Sequence, residues 1–440
     1  MMSSSDTIVA AATPFGYSGV AIVRISGPQS FKIGQKLTKK PFFKPRLATL
    51  SSLYDLNDNV IDTSLLTAFK SPSSYTGENT LEISCHGNPA LIAILISTIC
   101  SLGARPADAG EFTFRAFING KIDLIQAEGV ASLIHAKSLE NIRIQQNVVS
   151  GDFSSRIALI RNKIINLLST LEYEMDISEE DIDPSLHKDL FDKHSDLLEE
   201  LSLLANSFAM GGLLNSGIRV VITGPPNVGK SSLLNFISGT SRAIVSKTPG
   251  TTRDLVDVEL LISGVPIKFV DTAGIRKSKN TVEEEGVRRA LLEKKRADLV
   301  LSVSDNPSLK PKKNPEKPTL YIVNKSDLHA KTKTSKPVIH ISCKKKQGLK
   351  TLISAIKKTL KLVPIHSDSV YLSTPRQNRA ILSCKNSLSR ASVLIKSKNL
   401  ELELLSFELR EAIDALDSLF GKTTPNDIIN NIFSTLCVGK

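Results

Sequence analysis

The chain has 440 residues, 41% hydrophobic and 23% charged. That is too long for one ordinary core and too apolar for wholesale disorder, so two or three domains are expected. The longest apolar run, 91–104, falls short of a membrane span, and no basic region precedes a hydrophobic stretch at the N-terminus. Five cysteines without a Cys-x-x-Cys pair exclude a disulfide scaffold and a zinc ribbon, which points to a reducing, cytoplasmic setting with no membrane partner. The net charge of +12 is compatible with a nucleic-acid partner. Much of the lysine, however, sits in runs between Lys310 and Lys361 that suit a solvated surface, so charge alone does not decide.

In chain order, short β-like runs come first, at 7–13, 20–25 and 80–84, separated by Gly- and Pro-bearing turns such as 16–19. One apolar helix, 89–102, lies among them, and residues 1–119 are expected to form an α+β domain. A helical period follows over 120–212. Leu124, Ala127, Ala131 and Ile134 share one face, and Ile157, Ile160, Ile164, Leu167 and Leu171 recur at the spacing of a packed bundle helix. The seven carboxylates of 172–183, closed by Pro184, show no metal-ligand spacing and suit a solvated connection.

Strands and helices alternate from 218 to about 362, the signature of a parallel α/β sheet, here assigned to 213–375. The helical texture returns in 376–440, where Leu402, Leu405, Leu409, Ile413 and Leu416 mark one face and Thr424-Pro425 opens a last helix. The α/β block is therefore read as an insertion into a helical domain. The fold class is multidomain, α+β followed by a helical bundle that carries an α/β domain.

Gly224-Pro-Pro-Asn-Val-Gly229-Lys230-Ser231 fits G-x-x-x-x-G-K-[ST] between an apolar strand and a helix, the context a phosphate loop requires. Its glycines let backbone N–H groups curl around phosphate oxygens. Lys230 offsets charge on the β- and γ-phosphates, and the Ser231 hydroxyl suits Mg2+. Asp271-Thr-Ala-Gly274 ends a second strand, with Asp271 placed to hold Mg2+ through a water. Asn324-Lys325-Ser326-Asp327 follows a third strand. A carboxylate at Asp327 accepts from N1–H and the 2-amino group of guanine, whereas adenine would leave it unpaired. His340-Ile-Ser342-Cys343-Lys344 supplies the last base-side loop. Four such segments in order point to a guanine-nucleotide-binding domain. Ile275 stands where a water-positioning glutamine is usual. Hydrolysis must then draw on the loop 246–254 or on Glu283, Glu284 and Glu285, although the sequence by itself favours reading those glutamates as helpful charge in the first turn of a helix.

Beyond these motifs, the chain resembles the tRNA modification GTPase family MnmE (TrmE) over essentially its full length. The resemblance is carried by Asp6-Thr-Ile-Val-Ala10, Arg24-Ile-Ser-Gly27, Tyr75-Thr-Gly-Glu78, Leu81-Glu82, His86-Gly87, Gly110-Glu-Phe112, Arg115-Ala-Phe117, Lys121-Ile-Asp-Leu124, Gln126-Ala-Glu128, the GTPase set and the terminal Cys437-Val-Gly-Lys440. It implies an N-terminal folate-binding and dimerisation domain and a helical domain with an inserted Ras-like P-loop GTPase domain. It also implies a flavoprotein partner, MnmG (GidA), joined with the homodimer in a heterotetramer. The implied reaction adds an aminomethyl or carboxymethylaminomethyl group at C5 of the wobble uridine of certain tRNAs, with a tetrahydrofolate derivative (5-formyl- or 5,10-methylene-) as one-carbon donor. Arg24, Glu82, Lys121 and Lys440 would contact the folate.

By the same resemblance a potassium ion (K+) replaces an arginine finger, held by Asn227 and by Ser246, Thr248 and Thr251, while Ser231 and Thr252 hold Mg2+ and Glu283 positions the attacking water. The implied GTP contacts run over Asn227, Val228, Gly229, Lys230, Ser231 and Ser232. They continue over Ser246, Lys247, Thr248, Pro249, Gly250, Thr251 and Thr252, over Asp271, Thr272, Ala273 and Gly274, and over Asn324, Lys325, Asp327, Ser342, Cys343 and Lys344. Cys437 belongs to the family's terminal motif and reads equally as a catalytic thiol or a buried one.

Two departures stand out. Residues 306–318 hold four prolines and four lysines, too broken for a crossover helix. Tyr17 occupies a turn position where arginine is frequent in the family. The competing reading, a ribosome-assembly GTPase acting as an RNA-binding switch, would lack the terminal Cys437-Val-Gly-Lys440. A transporter G domain would need transmembrane helices.

Overall fold

The structure is a computed structural model of the chain, and it describes residues 6–41, 43–175, 186–239, 257–271, 292–307, 311, 316–328, 338–360, 362, 371–397, 401–421, 429, 432–434, 436 and 439. The chain divides into two compact units, Met1–Ser132 with Val148–Leu198 and Ser383–Lys440, and Leu133–Asn147 with Glu199–Leu382.

In the first unit β1 (Ile8–Ala11), β2 (Ser18–Ser26), β3 (Thr49–Tyr54), β4 (Val60–Phe69), β5 (Thr80–Gly87) and β6 (Arg105–Pro106) form a sheet in the order β3-β4-β5-β2-β1-β6. All pairs are antiparallel except β1 with β6. Alternation is clean along β5: Leu81, Ile83 and Cys85 are buried, while Glu82, Ser84 and His86 face away from that core. The core is completed by Ile33 and Leu37 of α1 (Ser30–Thr38) and by Ile92, Leu95 and Ile99 of α2 (Pro89–Ser101). The start of α2 is fixed by Asn88, whose side chain accepts from the N–H groups of Ala90 and Leu91, with Pro89 following it.

Strands β1, β2 and β5 and helix α2 agree with the sequence reading. Helix α1, helix α3 (Glu111–Ile118) and strands β3, β4 and β6 go beyond it. α1 hides because Gly34 interrupts its period, and the glycine lets the helix pack close to the sheet. A Cβ there would lie 2.4 Å from Leu81 Cδ2.

Besides α5 (Leu139–Val149) and α10 (Pro375–Ile395), the chain has two long helices in this unit, α6 (Asp152–Met175) and α11 (Leu402–Phe420), which pack against each other. Ile157, Ile160, Ile164, Leu167 and Leu171 are all buried, as the spacing predicts. On α11 Leu405, Leu409 and Leu416 are buried and Leu402 and Ile413 half-buried. Arg161 clamps Asp417 through two hydrogen bonds of 2.7 and 2.8 Å. The helix α4 (Leu124–Ile134) turns differently from its expected face: Leu124 and Ala127 are buried, but Ile134 is exposed. Gly129 takes the close packing instead, where a Cβ would stand 2.6 Å from Val148 Cγ1. The opening of the helix expected at Thr424-Pro425, and 176–184 of the acidic stretch, lie outside the described residues.

The second unit is built on β7 (Ile218–Thr223), β8 (Asp257–Ile262), β9 (Val265–Asp271), β10 (Leu299–Ser304), β11 (Thr319–Val323) and β12 (Val338–His340), in the order β12-β11-β10-β7-β9-β8. All neighbours are parallel except the β8–β9 hairpin. That hairpin closes on Ser263 and Gly264, both at positive φ (54° and 80°), a two-residue turn whose twist matches its strands. Near-continuous apolar strands mark a sheet covered on both faces, and α8 (Lys230–Ser238) and α9 (Leu349–Thr359) supply Leu233, Ile237, Leu352 and Ile356 to its core. Between β10 and β11 the described residues 305–307, 311 and 316–318 carry no helix, in keeping with the proline spacing.

One stretch among the described residues, Leu190–Leu214 within the helix α7 (Leu186–Ser216), is long and apolar enough by length and composition to cross a membrane, where the sequence reading expected none. Its burial is one-sided from Leu190 through His194, Leu197, Leu201 and Leu204 and continues at Met210, Gly211 and Leu214, and Asp192, Lys193, Asp196, Glu199 and Glu200 fall within it. Steps of three and four with charges between are the pattern of a packed amphipathic helix.

Candidate functional site

The phosphate loop joins β7 to α8, and its backbone explains its composition. Gly224 sits at φ 149°, where a Cβ would lie 2.1 Å from the Val303 carbonyl oxygen. Gly229 sits at φ 91°, where a Cβ would lie 2.4 Å from Asn324 Nδ2. Asn227, at φ 61°, is exposed between them, an amide held outward in a conformation asparagine tolerates. Lys230 opens α8 and is buried. Its ammonium donates to the carbonyls of Gly224 (3.0 Å) and Pro225 (2.7 Å), so the loop wraps its own cation. The Ser231 hydroxyl donates to Asp271 Oδ2 at 2.8 Å, which brings together two oxygens of the kind a hard divalent cation takes. Ser232 follows, exposed, and Val228 is buried beneath the loop.

The base side is tied to the phosphate side by Asn324. Its Nδ2 donates to the Val228 carbonyl (2.9 Å) and its Oδ1 accepts from Cys343 N–H (3.2 Å). Lys325, at φ 58°, pairs with Asp305 at 2.8 Å. Asp327 accepts from the Ser342 hydroxyl at 2.5 Å, and Lys345 N–H donates to the same hydroxyl. The Ser342 bond, helped by Lys345 and Lys344, holds the Asp327 carboxyl below its ordinary value. Burial pushes the Cys343 thiol up to about 11, so it is no nucleophile at neutral pH. Asn227, Val228, Gly229, Lys230, Ser231, Ser232, Asp271, Asn324, Lys325, Asp327, Ser342, Cys343 and Lys344 thus fall on one unit. Ser246, Lys247, Thr248, Pro249, Gly250, Thr251, Thr252, Thr272, Ala273, Gly274 and Glu283 lie outside the described residues.

A second constellation sits on the N-terminal sheet. Arg24 of β2 faces Glu82 of β5 directly in register and binds it through Nε (2.9 Å) and Nη2 (2.8 Å). Its Nη1 donates to the carbonyl of Gly439 at 3.2 Å. The guanidinium lies 5.7 Å from the ring centroids of both Tyr75 and Phe112. Tyr75 is hydrogen-bonded to Thr113 at 3.0 Å. Lys121 starts nearby in sequence from α3, its stem against the turn at Gly77. Tyr75 and Phe112 enter the sequence reading only as marks of the resemblance, with no contact assigned to them, since nothing local announces that two distant aromatics flank one arginine. Lys440 and Cys437 lie outside the described residues.

Beside this lies a charge cluster whose centre, Arg115 and Glu111, is buried. Arg115 reaches Asp6 (2.6 Å), Glu111 (2.9 Å) and Glu78 (3.2 Å), and Arg105 reaches Asp6 (2.6 Å) and Glu111 (2.6 Å). Burial alone would raise the Asp6 and Glu111 carboxyls, but the two arginines outweigh it and both are lowered.

Two family models match the chain: GTP-binding protein TrmE N-terminus over residues 7–121, and MnmE helical domain over residues 124–437. The tRNA modification GTPase MnmE of Nitrosomonas eutropha is 39% identical over 453 residues, covering 100% of both chains. The protein of that name from Dichelobacter nodosus is 38% identical at the same coverage. That from Pseudothermotoga lettingae is 37% identical over 99% of this chain and 100% of its own.

Proposed function

Because the chain belongs to the MnmE family of tRNA modification GTPases, we propose that it is a K+-activated GTP hydrolase acting on tRNA. It works with the flavoprotein MnmG to install the (carboxymethyl)aminomethyl group at C5 of the wobble uridine, with a tetrahydrofolate derivative as one-carbon donor. In this reading 1–119 binds folate and dimerises, 213–375 is the G domain, and 120–212 with 376–440 make the helical domain, in a cytoplasmic protein.

The observation that carries the GTP reading is the pair of hydrogen bonds made by Asn324, which couples the phosphate loop to the base-side loop as one site. Asp327 would accept from both guanine N–H groups, its charge kept by Ser342. Lys230 would leave its loop carbonyls for the β- and γ-phosphates, and the loop N–H groups would hold their oxygens. Ser231 and Thr252 would hold Mg2+, with Asp271 reaching it through a water; the oxygen pair Ser231–Asp271 fits that ion. Glu283 would orient a water for in-line attack on the γ-phosphorus. The new P–O bond forms as the bond to the β–γ bridging oxygen breaks, and GDP and phosphate leave. Asn227, an outward amide oxygen, fits a K+ completed by Ser246, Thr248 and Thr251, a charge that would stabilise the transition state as an arginine finger does. On the N-terminal sheet Arg24, Glu82, Lys121 and Lys440 would bind the folate, the cations its glutamyl tail and the carboxylate the amino-pyrimidine edge.

The test is GTP turnover in KCl against NaCl at equal ionic strength, together with nucleoside analysis of tRNA from cells lacking the protein. Faster turnover in KCl and loss of the wobble modification are expected. Equal rates would remove the K+ site, and unaltered nucleosides would remove the substrate.

A further inference from the structure

Residues 27–54 contain six cations, Lys32, Lys36, Lys39, Lys40, Lys44 and Arg46, and no carboxylate. They run along α1, through the loop after it, and up to β3, the edge strand of the N-terminal sheet. Lys32, Lys36, Lys44 and Arg46 are exposed. Among the described residues the side chains of Lys32, Lys36 and Lys44 make no hydrogen bond or ion pair, and the Arg46 guanidinium donates only to the Ser73 carbonyl, at 3.0 Å. Lys32 and Lys36 stand four apart on α1, a like-charge spacing that weakens a helix. Edge protection accounts for Lys40, which covers a carbonyl of β3, but not for the rest of the run, because β3 itself (TLSSLY) carries no charge and the cations precede it.

We propose that this face is a contact surface for the phosphate backbone of folded RNA, the tRNA of the proposed reaction. The inference rests on that reading and extends it to a place on the protein. The chemistry favours backbone over bases. The aromatic rings at hand are covered by the protein's own cations, Tyr54 by Lys39 (4.2 Å to the centroid) and Phe69 by Arg46 (5.8 Å). Among the described residues of 27–54, Phe43 is buried in the sheet core and Phe31 packs against it, so none of these rings is free for stacking; the surface reads charge and shape and would hold the RNA while the base is served elsewhere. Lys39 is partly spent on Asp58 (2.8 Å) and Lys40 on the Leu50 carbonyl (2.9 Å), which leaves Lys32, Lys36, Lys44 and Arg46 as the working set.

The experiment measures binding of an unmodified tRNA transcript to the full-length chain across a KCl series. The wild type is compared with the variant Lys32→Gln/Lys36→Gln/Lys44→Gln/Arg46→Gln and with a charge-keeping variant, Lys32→Arg/Lys36→Arg/Lys44→Arg/Arg46→Lys. Removal of four phosphate contacts should flatten the plot of log affinity against log salt by about three units and weaken low-salt binding by at least about tenfold. The charge-keeping variant should bind as the wild type does. GTP turnover without RNA should be the same in all three, which reports an intact fold.

An unchanged slope in the glutamine variant, beside a wild type that binds, overturns the surface and leaves the tRNA reading standing. A wild type with no affinity for the transcript overturns both. Phosphatidylserine vesicles and polyglutamate are run alongside. If either binds the wild type more tightly than the transcript and loses that binding in the glutamine variant, the surface belongs to a membrane or an acidic protein, and the proposal falls.

Discussion

Arg24 donates a hydrogen bond to the carbonyl of Gly439, 415 residues away in the chain, while its other nitrogens hold Glu82. The backbone at Gly439 is thereby fastened to the N-terminal sheet, and the glycine is what permits it. It sits at φ 95°, and a Cβ there would lie 2.1 Å from the Ala11 carbonyl oxygen. Gly439→Ala should displace the terminus without touching Arg24, and Arg24→Ala should remove the guanidinium directly. For either, affinity for 5-formyltetrahydrofolate is expected to fall by about tenfold or more, the worth of a charge-assisted hydrogen bond, with GTP turnover kept. Isothermal titration checks it, and undiminished affinity in both variants would take the folate away from this corner.

The base-side loop makes a sharper test of nucleotide choice. Asp327 accepts from Ser342 and stays charged, so it demands donors from the base. Asp327→Asn presents an amide N–H instead and should reject guanine, with GTP affinity reduced by about a hundredfold or more. Xanthine carries a C2 carbonyl where guanine has an amino group, so xanthosine triphosphate should bind the variant better than GTP does. Competition between the two nucleotides for the variant reads the outcome, and a continued preference for GTP would refute the assignment.

These two sites differ in how far they could be read from the sequence, for a physical reason. The phosphate loop is local: its glycines, Lys230 and Ser231 are contiguous, and the chemistry dictates their spacing. The long seam of α6 was legible because burial on one side of a helix forces Ile157, Ile160, Ile164, Leu167 and Leu171 into period. The Arg24 corner draws on β2, β5, α3 and the last residues, and no sequence spacing encodes a meeting of that kind. Only likeness to a family could suggest Arg24 and Glu82, and Tyr75 and Phe112 needed coordinates. α1 escaped because the position that packs most tightly, Gly34, is the one that weakens its helical pattern.

Acid should unfold the N-terminal unit through the cluster around Arg115. Asp6 and Glu111 have folded pKa values below their unfolded ones. Their contribution is therefore complete above the unfolded carboxylate range, near about pH 4, and is lost as pH falls through the lower folded values. Glu111 accepts from Arg105 and Arg115 and from Asp108 N–H, and its side chain is fully buried. Glu111→Gln leaves two arginines short of a charge and should cost about 3 kcal/mol at neutral pH, by analogy with other broken buried pairs. Chemical denaturation at a series of pH values should show the difference between wild type and variant shrinking below about pH 4. A difference independent of pH would mean that packing rather than charge is what Glu111 supplies.

His194 predicts a separate step at milder acidity. It is buried on α7, with Nε2 2.6 Å from the Leu388 carbonyl oxygen, and burial, aided by Lys396, keeps its imidazole below the usual value despite that bond. The unfolded chain therefore binds this proton first. Stability from the neutral ring is complete above about pH 6.5 and declines as pH falls below it, levelling only once the folded ring also protonates. His194→Gln keeps a donor for Leu388 but cannot titrate. It should be less stable than the wild type at about pH 7.5, through imperfect packing, and should close that gap between about pH 6.5 and pH 5. Denaturation midpoints followed across that interval decide it. A gap that stays constant would show that His194 binds its proton equally in both states, and a gap that widens would mean that the folded ring is the stronger base.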